Sequence, residues 1–256
     1  MKVLQKTPAN ARHSAPLPRD PKLLVVTAVV PAKDEEATIE QSIGRFAGVP
    51  LTIEIVAVND GSSDRTGEIL ERLVKQGVVS RVIHHPQNRG KGAAVRTGIQ
   101  AATGHVIVIQ DADLEYDPHE LPGLLSPILQ DKADAVFGSR FQAGPRRVLY
   151  FWHSVGNKVL TLLSNMLTDL NLTDMETCYK MVRADLMKSL PLVSDRFGIE
   201  VELTARLARS GARIWEVPIS YSGRTYAEGK KIGWKDGVAA LWHILRFNLF
   251  AADQRE

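Results

Sequence analysis

Continuous apolar runs alternate with helical patterns through the first half of the chain. Leu23 to Val30 is one such run and predicts a strand that is buried on both faces. The segments 51–58, 79–84 and 106–110 are predicted as further strands. The intervening segments predict helices at 37–46, 66–76 and 90–103. The alternation predicts an α/β fold: a single Rossmann-like domain with a mostly parallel sheet flanked by helices.

The second half is less regular and contains two amphipathic patterns. Apolar residues recur at helical spacing between residues 152 and 167, and again between residues 236 and 250. Between them we expect a helix at 197–210 and a strand at 213–221. The two apolar stripes either pack on the core or form interface helices on a membrane. In the second case Trp234, Trp242, Phe247 and Phe250 would lie at headgroup level.

The chain divides into three predicted parts. Residues 1–22 contain four prolines and no apolar run of the signal-peptide type, so we expect a flexible tail there. Residues 23–235 form the predicted catalytic domain, and residues 236–256 a C-terminal amphipathic helix. No stretch reaches about 18 apolar residues, so a membrane-associated protein of this sequence would lie on the bilayer rather than through it.

Composition narrows the class of protein. Of 256 residues, 44% are hydrophobic and 24% charged, as in a folded domain. The net charge of +3 gives no argument for nucleic-acid binding. The single cysteine, Cys178, excludes an internal disulfide, fits a reducing compartment and is interpreted as a packed residue.

Acidic clusters follow the predicted strands, and the carboxyl ends of parallel strands meet at one edge of a sheet. The sharpest cluster is Asp111-Ala112-Asp113, directly after an apolar run, and Glu115 continues the alternate spacing. Carboxylates crowded together repel one another unless a cation joins them, and oxygen ligands suit Mg²⁺ or Mn²⁺. These three residues are therefore candidate metal ligands.

Two further clusters have alternative interpretations. The segment 59–66 is a turn leading into a helix cap, and Asp60 at the strand tip is in addition free to bind a base or ribose. Glu35, after the first strand, is placed for the same role. The segment 88–92 is either a simple glycine turn or a phosphate or ribose contact through Lys91.

Together these strings resemble the inverting glycosyltransferases of family 2, which have the GT-A fold. The first half supplies five of them in order: VVPAKDEEATI, VNDGSSDRT, NRGKGAAVRTG, DADLEYDP and GSRF. The second half looks like the polyprenyl-phosphate sugar transferases, a group that includes dolichol-phosphate mannose synthases and undecaprenyl-phosphate glycosyltransferases. The strings that carry this narrower resemblance are DMETCYKMVR, RFGIEVELTARLAR and VPISYSGRTYAEGKKIGW.

The resemblance implies a nucleotide pocket and a phosphate site. Asp60 would contact the base, with Pro31, Ala32 and Glu35 lining its pocket. The carboxylates of Asp111, Asp113 and Glu115 would hold the metal with the donor diphosphate. The basic residues implied to bind acceptor or donor phosphates are Arg140, Arg224 and Lys230.

The implied reaction is inverting transfer of a hexose from a GDP-mannose or UDP-glucose type donor to a polyprenyl phosphate. A phosphate is already anionic, so it attacks without a general base. There are two alternatives. The first is transfer to a saccharide hydroxyl, which would need a base such as Glu200 or Glu202. The second is an inactive nucleotide-sugar-binding protein on the membrane.

The implied partners are the donor, the lipid and the inner, cytoplasmic face of the cell membrane, with a membrane protein or a second copy as further possibilities. Two rival enzyme classes lack their motifs. Residues 31–36 read PAKDEE, without the glycine-rich loop of a sugar-nucleotide pyrophosphorylase or the G-x-G-x-x-G of a dehydrogenase.

Overall fold

The structure is a computed structural model. It describes residues 16–18, 23–142, 145–148, 150–225 and 234–250. Lys230, which the resemblance places in the phosphate site, lies outside the described residues, as does most of the predicted tail. The predicted boundary between residues 235 and 236 falls within a helix that begins at Trp234. The division into domains stays a prediction.

A single twisted sheet organises the described part of the chain. Its strands lie in the order β3-β2-β1-β4-β6-β5-β7, and β6 runs antiparallel to both neighbours while the other pairs are parallel. The strands are β1 (Val25–Ala32), β2 (Thr52–Asn59), β3 (Arg81–His84), β4 (Val106–Ile109), β5 (Ala135–Ser139), β6 (Lys180–Arg183) and β7 (Ile214–Pro218). The predicted α/β architecture is confirmed.

Helices connect and cover the strands. They are α1 (Ile39–Gly44), α2 (Thr66–Lys75), α3 (Lys91–Ala101), α4 (Leu121–Leu129), α5 (Phe151–Thr168), α6 (Ala184–Ser189), α7 (Ile199–Arg209) and α8 (Trp234–Leu245). One π-helical turn, Arg246–Phe250, extends α8. None of the helices in the described ranges has the length and apolar character needed to cross a bilayer.

The core lies on both faces of the central strands, as the continuous apolar runs predict. Every residue of β4 is buried, and Val26, Val29 and Val30 of β1 are fully inaccessible. Burying each such side chain contributes roughly 1.5–3 kcal/mol. Helix α3 packs tightly here, because a Cβ at Gly98 would come within 2.3 Å of the Val29 side chain.

Strand β6 escaped prediction. Its four residues read Lys-Met-Val-Arg, so neither alternation nor an apolar run marks it. Lys180 is nevertheless fully buried, because its Nζ donates hydrogen bonds to the carbonyl oxygens of Met175 and Thr177 at 2.8 and 2.6 Å. Burial is the largest influence on this side chain and lowers the pKa of Lys180. Satisfied hydrogen bonding thus places a charged residue type inside the sheet.

Helices α5 and α8 pack together and expose their apolar sides. The buried positions of α5 are polar, namely Thr161, Ser164 and Thr168. The exposed apolar residues of α5, α8 and the π-helical turn form what we call the apolar face. It comprises Phe151, Trp152, Val159, Leu162, Met166, Val238, Leu241, Trp242, Leu245, Leu249 and Phe250. Phe247 is a correction to the sequence analysis, because it is buried and stacks on His243.

Candidate active site

The loops after β1, β2 and β4 meet at one edge of the sheet, as predicted. The amide of Asp34, after β1, donates to Ser62 Oγ at 3.0 Å, and the amide of Ser63 donates back to Asp34 Oδ1 at 2.8 Å. Ser42 Oγ reaches the carbonyl oxygen of Asp111, after β4, at 3.4 Å. The three polar segments therefore line a common site.

Asp113 and Glu115 share one cation. The Nη2 atom of Arg224 lies 2.8 Å from Asp113 Oδ2, and its Nε lies 3.3 Å from Glu115 Oε1. Burial, followed by the negative charges of Asp111 and Glu115, raises the pKa of Asp113 to about 7. A site that makes deprotonation of a carboxyl this costly is one in which added positive charge is strongly stabilising.

Asp111 faces a different cation. Lys91 Nζ lies 2.7 Å from Asp111 Oδ1 and 2.9 Å from Glu200 Oε1 on α7. Burial opposes the charge of Lys91, but the nearby anionic groups, Asp111 foremost, outweigh it and raise the pKa of Lys91 well above its usual range. Lys91 thus ties α3, the loop after β4 and α7 together. Its predicted contact with a phosphate or ribose stays a prediction.

The predicted metal ligands lie in a loop. Strand β4 ends at Ile109, so the alternate spacing of Asp111, Asp113 and Glu115 does not by itself direct their side chains to one side, as it would within a strand. Within the described ranges, no three carboxylate, imidazole or thiol side chains converge as a ready-made cage. The donor set is nevertheless all oxygen and strongly anionic, which suits Mg²⁺ or Mn²⁺. The metal role of the three residues stays a prediction.

Asp60 is buried and organises the glycine-containing loop. Its Oδ1 accepts hydrogen bonds from the Arg89 amide at 2.9 Å and from His85 Nδ1 at 2.7 Å, and its Oδ2 accepts from the Gly90 amide at 2.7 Å. Gly90 has a positive φ of 96° and lies so close to Asp195 that a side chain would not fit. Nothing in the sequence pattern indicates the part played by His85.

The other predicted nucleotide-pocket residues lie beside Asp60. Pro31 and Ala32 end β1, and the carbonyl oxygen of Ala32 accepts a hydrogen bond from the Asp60 amide at 2.9 Å. Glu35 accepts from Thr38 Oγ1 at 2.8 Å and lies 4.0 Å from Arg224 Nη1. The structure brings these residues together, and their contacts with a base stay predictions.

Arg140, the predicted acceptor-phosphate ligand, is bound to Asp174. Its Nε and Nη2 donate to the two carboxylate oxygens at 2.7 and 2.8 Å, and Asp174 is fully buried. The guanidinium also lies 5.1 Å from the ring centre of Tyr221. Asp174 and Tyr221 stand in strings that carry the family resemblance, yet the sequence analysis assigned neither a role.

The proposed bases for a hydroxyl acceptor both make contacts inside the protein, although Glu200 Oε2 is buried without a hydrogen-bond partner among the described residues. Glu202 is fully buried and accepts hydrogen bonds from the Val193 and Ser194 amides at 2.7–3.0 Å. Glu200 is paired with Lys91. Cys178 is buried, and burial raises the pKa of its thiol well above the usual range, so it is a packed residue as predicted.

A mostly parallel α/β sheet flanked by helices, with an acidic D-x-D loop at its carboxyl edge, is the arrangement of a GT-A glycosyltransferase. The family model of glycosyl transferase family 2 matches residues 27–190. The chain belongs to glycosyl transferase family 2, as the sequence resemblance implied.

Two relatives agree with this assignment, and a solved structure shares the fold. Undecaprenyl-phosphate mannosyltransferase of Micrococcus luteus is 30% identical over 246 residues, which cover 88% of this chain and 98% of the relative. Dodecaprenyl-phosphate galacturonate synthase of Rhizobium johnstonii is 26% identical over 212 residues, which cover 81% of this chain and 62% of the relative. Glucosyl-3-phosphoglycerate synthase from Mycobacterium tuberculosis, solved with Mn²⁺, uridine diphosphate and glucosyl-3-phosphoglycerate, shares the fold with a TM-score of 0.68 at 22% identity, covering 90% of this chain and 82% of that one.

Proposed function

We propose that this protein transfers a hexose from a nucleoside-diphosphate sugar, of the GDP-mannose or UDP-glucose type, to a polyprenyl phosphate at a membrane surface. The reaction inverts the anomeric carbon and uses Mg²⁺ or Mn²⁺. The two curated relatives, a mannosyltransferase and a galacturonate synthase, are named for polyprenyl phosphates and support this acceptor class. Their differing sugars leave the sugar of this enzyme open within the hexose class.

One structural observation carries the proposal. A chain of contacts joins helix α5 to the acidic loop: Asn157 of α5 accepts from Arg140 Nη2 at 3.3 Å, Arg140 packs on Tyr221, and Tyr221 donates to Glu115 Oε2 at 2.8 Å. Because α5 also carries part of the apolar face, a lipid lying against this helix would bring its phosphate towards Arg140, while the donor diphosphate occupies the acidic loop. The two substrates meet between Arg140 and Glu115.

The chain's own residues then position the attack. Arginine suits a phosphate ligand because it stays charged and carries five N–H donors. Nε and Nη2 of Arg140 bind Asp174, so Nη1 is the nitrogen that would face the acceptor phosphate. Arg146 lies on the same side of the site, with its guanidinium 5.5 Å from the Phe141 ring centre, and joins Arg140 in holding the acceptor. Arg147, on the same segment, donates to the Gly223 carbonyl oxygen at 3.3 Å and has the same role.

In this reaction it is the leaving group, not the nucleophile, that needs to be stabilised. A divalent cation held by Asp111, Asp113 and Glu115 would supply Lewis-acid stabilisation of the departing diphosphate. Arg224, and Lys230 by the family resemblance, add positive charge there. Because an anionic phosphate attacks without losing a proton, the engagement of Glu200 and Glu202 in other contacts favours the phosphate acceptor over a hydroxyl.

The apolar face supports the membrane part of the proposal. A cluster of this many exposed apolar side chains on two adjacent helices marks an interaction site. We place it at the headgroup level of the inner, cytoplasmic leaflet, with Trp152, Trp242 and Phe250 as interfacial anchors. A membrane-protein partner or a second copy of the chain would share this face with the lipid.

Transfer of label tests the proposal directly. The full chain is incubated with a panel of radiolabelled nucleotide sugars and short-chain polyprenyl phosphate, with and without EDTA. We expect label in the lipid phase from one hexose donor, lost with EDTA. Label on a saccharide or phosphoglycerate acceptor instead would replace the acceptor class, and nucleotide binding without transfer to any acceptor would indicate an inactive binder.

A further inference from the structure

Arg224 lies where the proposed cation would have to bind. Its three nitrogens face three carboxylates: Asp113 Oδ2 at 2.8 Å from Nη2, Glu115 Oε1 at 3.3 Å from Nε, and Glu35 Oε2 at 4.0 Å from Nη1. The side chain is only 21% exposed. A partly buried guanidinium surrounded by carboxylates from two separate loops already neutralises this part of the site.

Glu115, one of these three carboxylates, also holds the segment that carries Arg224. We call residues 221–224 the strap. Tyr221 Oη donates to Glu115 Oε2 at 2.8 Å, the Arg224 amide donates to Oε1 at 2.9 Å, and the Ser222 amide donates to the Glu115 carbonyl oxygen at 3.0 Å. Both carboxylate oxygens of Glu115 are therefore engaged by the strap.

A divalent cation and this guanidinium cannot share these oxygens. Two positive charges a few ångströms apart repel strongly where solvent screening is weak. We infer that Arg224 is the resting counter-ion of the acidic loop, and that a divalent cation must displace it from Asp113 and Glu115 in order to bind. This inference rests on the proposed function, since it assumes that the loop binds the cation.

Displacement has two consequences for the strap. Glu115 releases Tyr221 and the Arg224 amide when its oxygens turn to the cation, so the hydrogen bonds that fasten the strap are lost. The freed guanidinium then faces an incoming diphosphate, which is the better partner because it offers bidentate anionic oxygens. Arg224 thus opposes the cation alone and favours the cation together with a diphosphate.

Replacing Arg224 should change the affinities for Mn²⁺ and for pyrophosphate in opposite directions, which makes the inference testable. Mn²⁺ binding to the full chain is measured by calorimetry without nucleotide, and then pyrophosphate binding is measured in saturating Mn²⁺. For Arg224→Gln we expect Mn²⁺ to bind about tenfold more tightly, because a competing cation is gone, and pyrophosphate to bind at least about tenfold more weakly. If Arg224 only bound the donor diphosphate and were not a counter-ion of the acidic loop, its replacement would leave the Mn²⁺ affinity unchanged.

Arg213→Gln is the matched control. Arg213 also bridges two carboxylates, Asp131 and Asp134 at 2.8 and 2.9 Å, but it precedes β7 at the opposite edge of the sheet. We expect wild-type affinity for both ligands. An equal tightening of Mn²⁺ binding in this control would show a general charge effect and overturn the inference.

Asp113→Asn separates the inference from the proposed function. If this variant binds Mn²⁺ as the wild type does, the cation site of the proposed function is wrong. If it loses Mn²⁺ while Arg224→Gln binds like the wild type, only the counter-ion role is wrong. Amide hydrogen exchange gives an independent reading, because Mn²⁺ should speed exchange at Ser222 and Arg224, and unchanged exchange contradicts release of the strap.

Discussion

Arg140 and Asp174 form a bidentate ion pair at the inner end of the candidate acceptor site. Both carboxylate oxygens of Asp174 accept from the guanidinium, at 2.7 and 2.8 Å, and the carboxylate is fully buried. Burial opposes ionisation of Asp174, but Arg140 outweighs it, so the pKa of Asp174 lies below its usual range. The pair holds the guanidinium rigidly in front of α5.

Asp174→Asn should therefore lower stability strongly. Removing one partner of a buried pair leaves an uncompensated charge, and we expect the free energy of unfolding in urea to fall by about 3 kcal/mol. The exposed pair of Asp131 with Arg213 provides the control, since Asp131→Asn should cost less than about 1 kcal/mol. Equal losses in the two variants would show that Arg140 does not depend on the buried carboxylate.

Lys91 and Glu200 should behave as a coupled pair. Lys91→Met leaves Asp111 and Glu200 without their shared cation, and we expect it to cost about 3–5 kcal/mol of stability. Adding Glu200→Gln should recover about 1–3 kcal/mol, because the double variant removes one unpaired charge. Urea unfolding of the two single variants and the double variant measures the coupling. Strict additivity would mean that the two side chains act independently.

Glu176 should make stability depend on pH. Burial, followed by the charge of Glu200, raises the pKa of Glu176 from its usual 4.5 to about 7, against the opposing effects of Lys180 and Arg140. The folded state thus binds a proton more tightly than the unfolded chain between these values. The free energy of unfolding should fall as pH rises from about 4.5 to 7, by about 2–3 kcal/mol from this group.

Glu176→Gln isolates that contribution. Metal-free wild type and variant are unfolded in urea at a series of pH values. The free energy of unfolding of the variant should fall less steeply with pH than that of the wild type, and only within this window. Glu68→Gln, an exposed glutamate on α2, is the control and should keep the wild-type slope. A variant slope identical to the wild type would place the raised pKa elsewhere, Asp113 being the other carboxyl raised to about 7.

The apolar face should bind anionic vesicles. Leu162 on α5 is 59% exposed and Trp242 on α8 is 57% exposed, so glutamate at both positions adds charge where the bilayer would lie. We expect the double variant to sediment with phosphatidylglycerol vesicles about tenfold less than the wild type. Val78→Glu, at an exposed position after α2, should leave sedimentation unchanged. Loss in the control alone would move the membrane contact to another face.

Much of the fold was predictable because local pattern and tertiary role agree. The apolar runs of β1, β2 and β4 are buried on both faces, so continuous hydrophobicity marks them. The loops that follow them had to meet, since parallel strands share one carboxyl edge. Strand β6 was missed because its sequence, Lys-Met-Val-Arg, shows neither alternation nor an apolar run. The burial of Lys180 depends on hydrogen bonds from Nζ to the carbonyl oxygens of Met175 and Thr177, which no hydrophobic period reveals.

The sequence by itself determined the α/β architecture, the family and the identity of the acidic and basic residues, because these depend on local periodicity and on strings of adjacent residues. Only the tertiary structure decided which charges pair: Asp111 with Lys91, Asp113 and Glu115 with Arg224, and Arg140 with Asp174. It also decided that the apolar stripes of α5 and α8 face outward. Pairing and facing depend on distances between residues far apart in the chain, and only folding sets those distances.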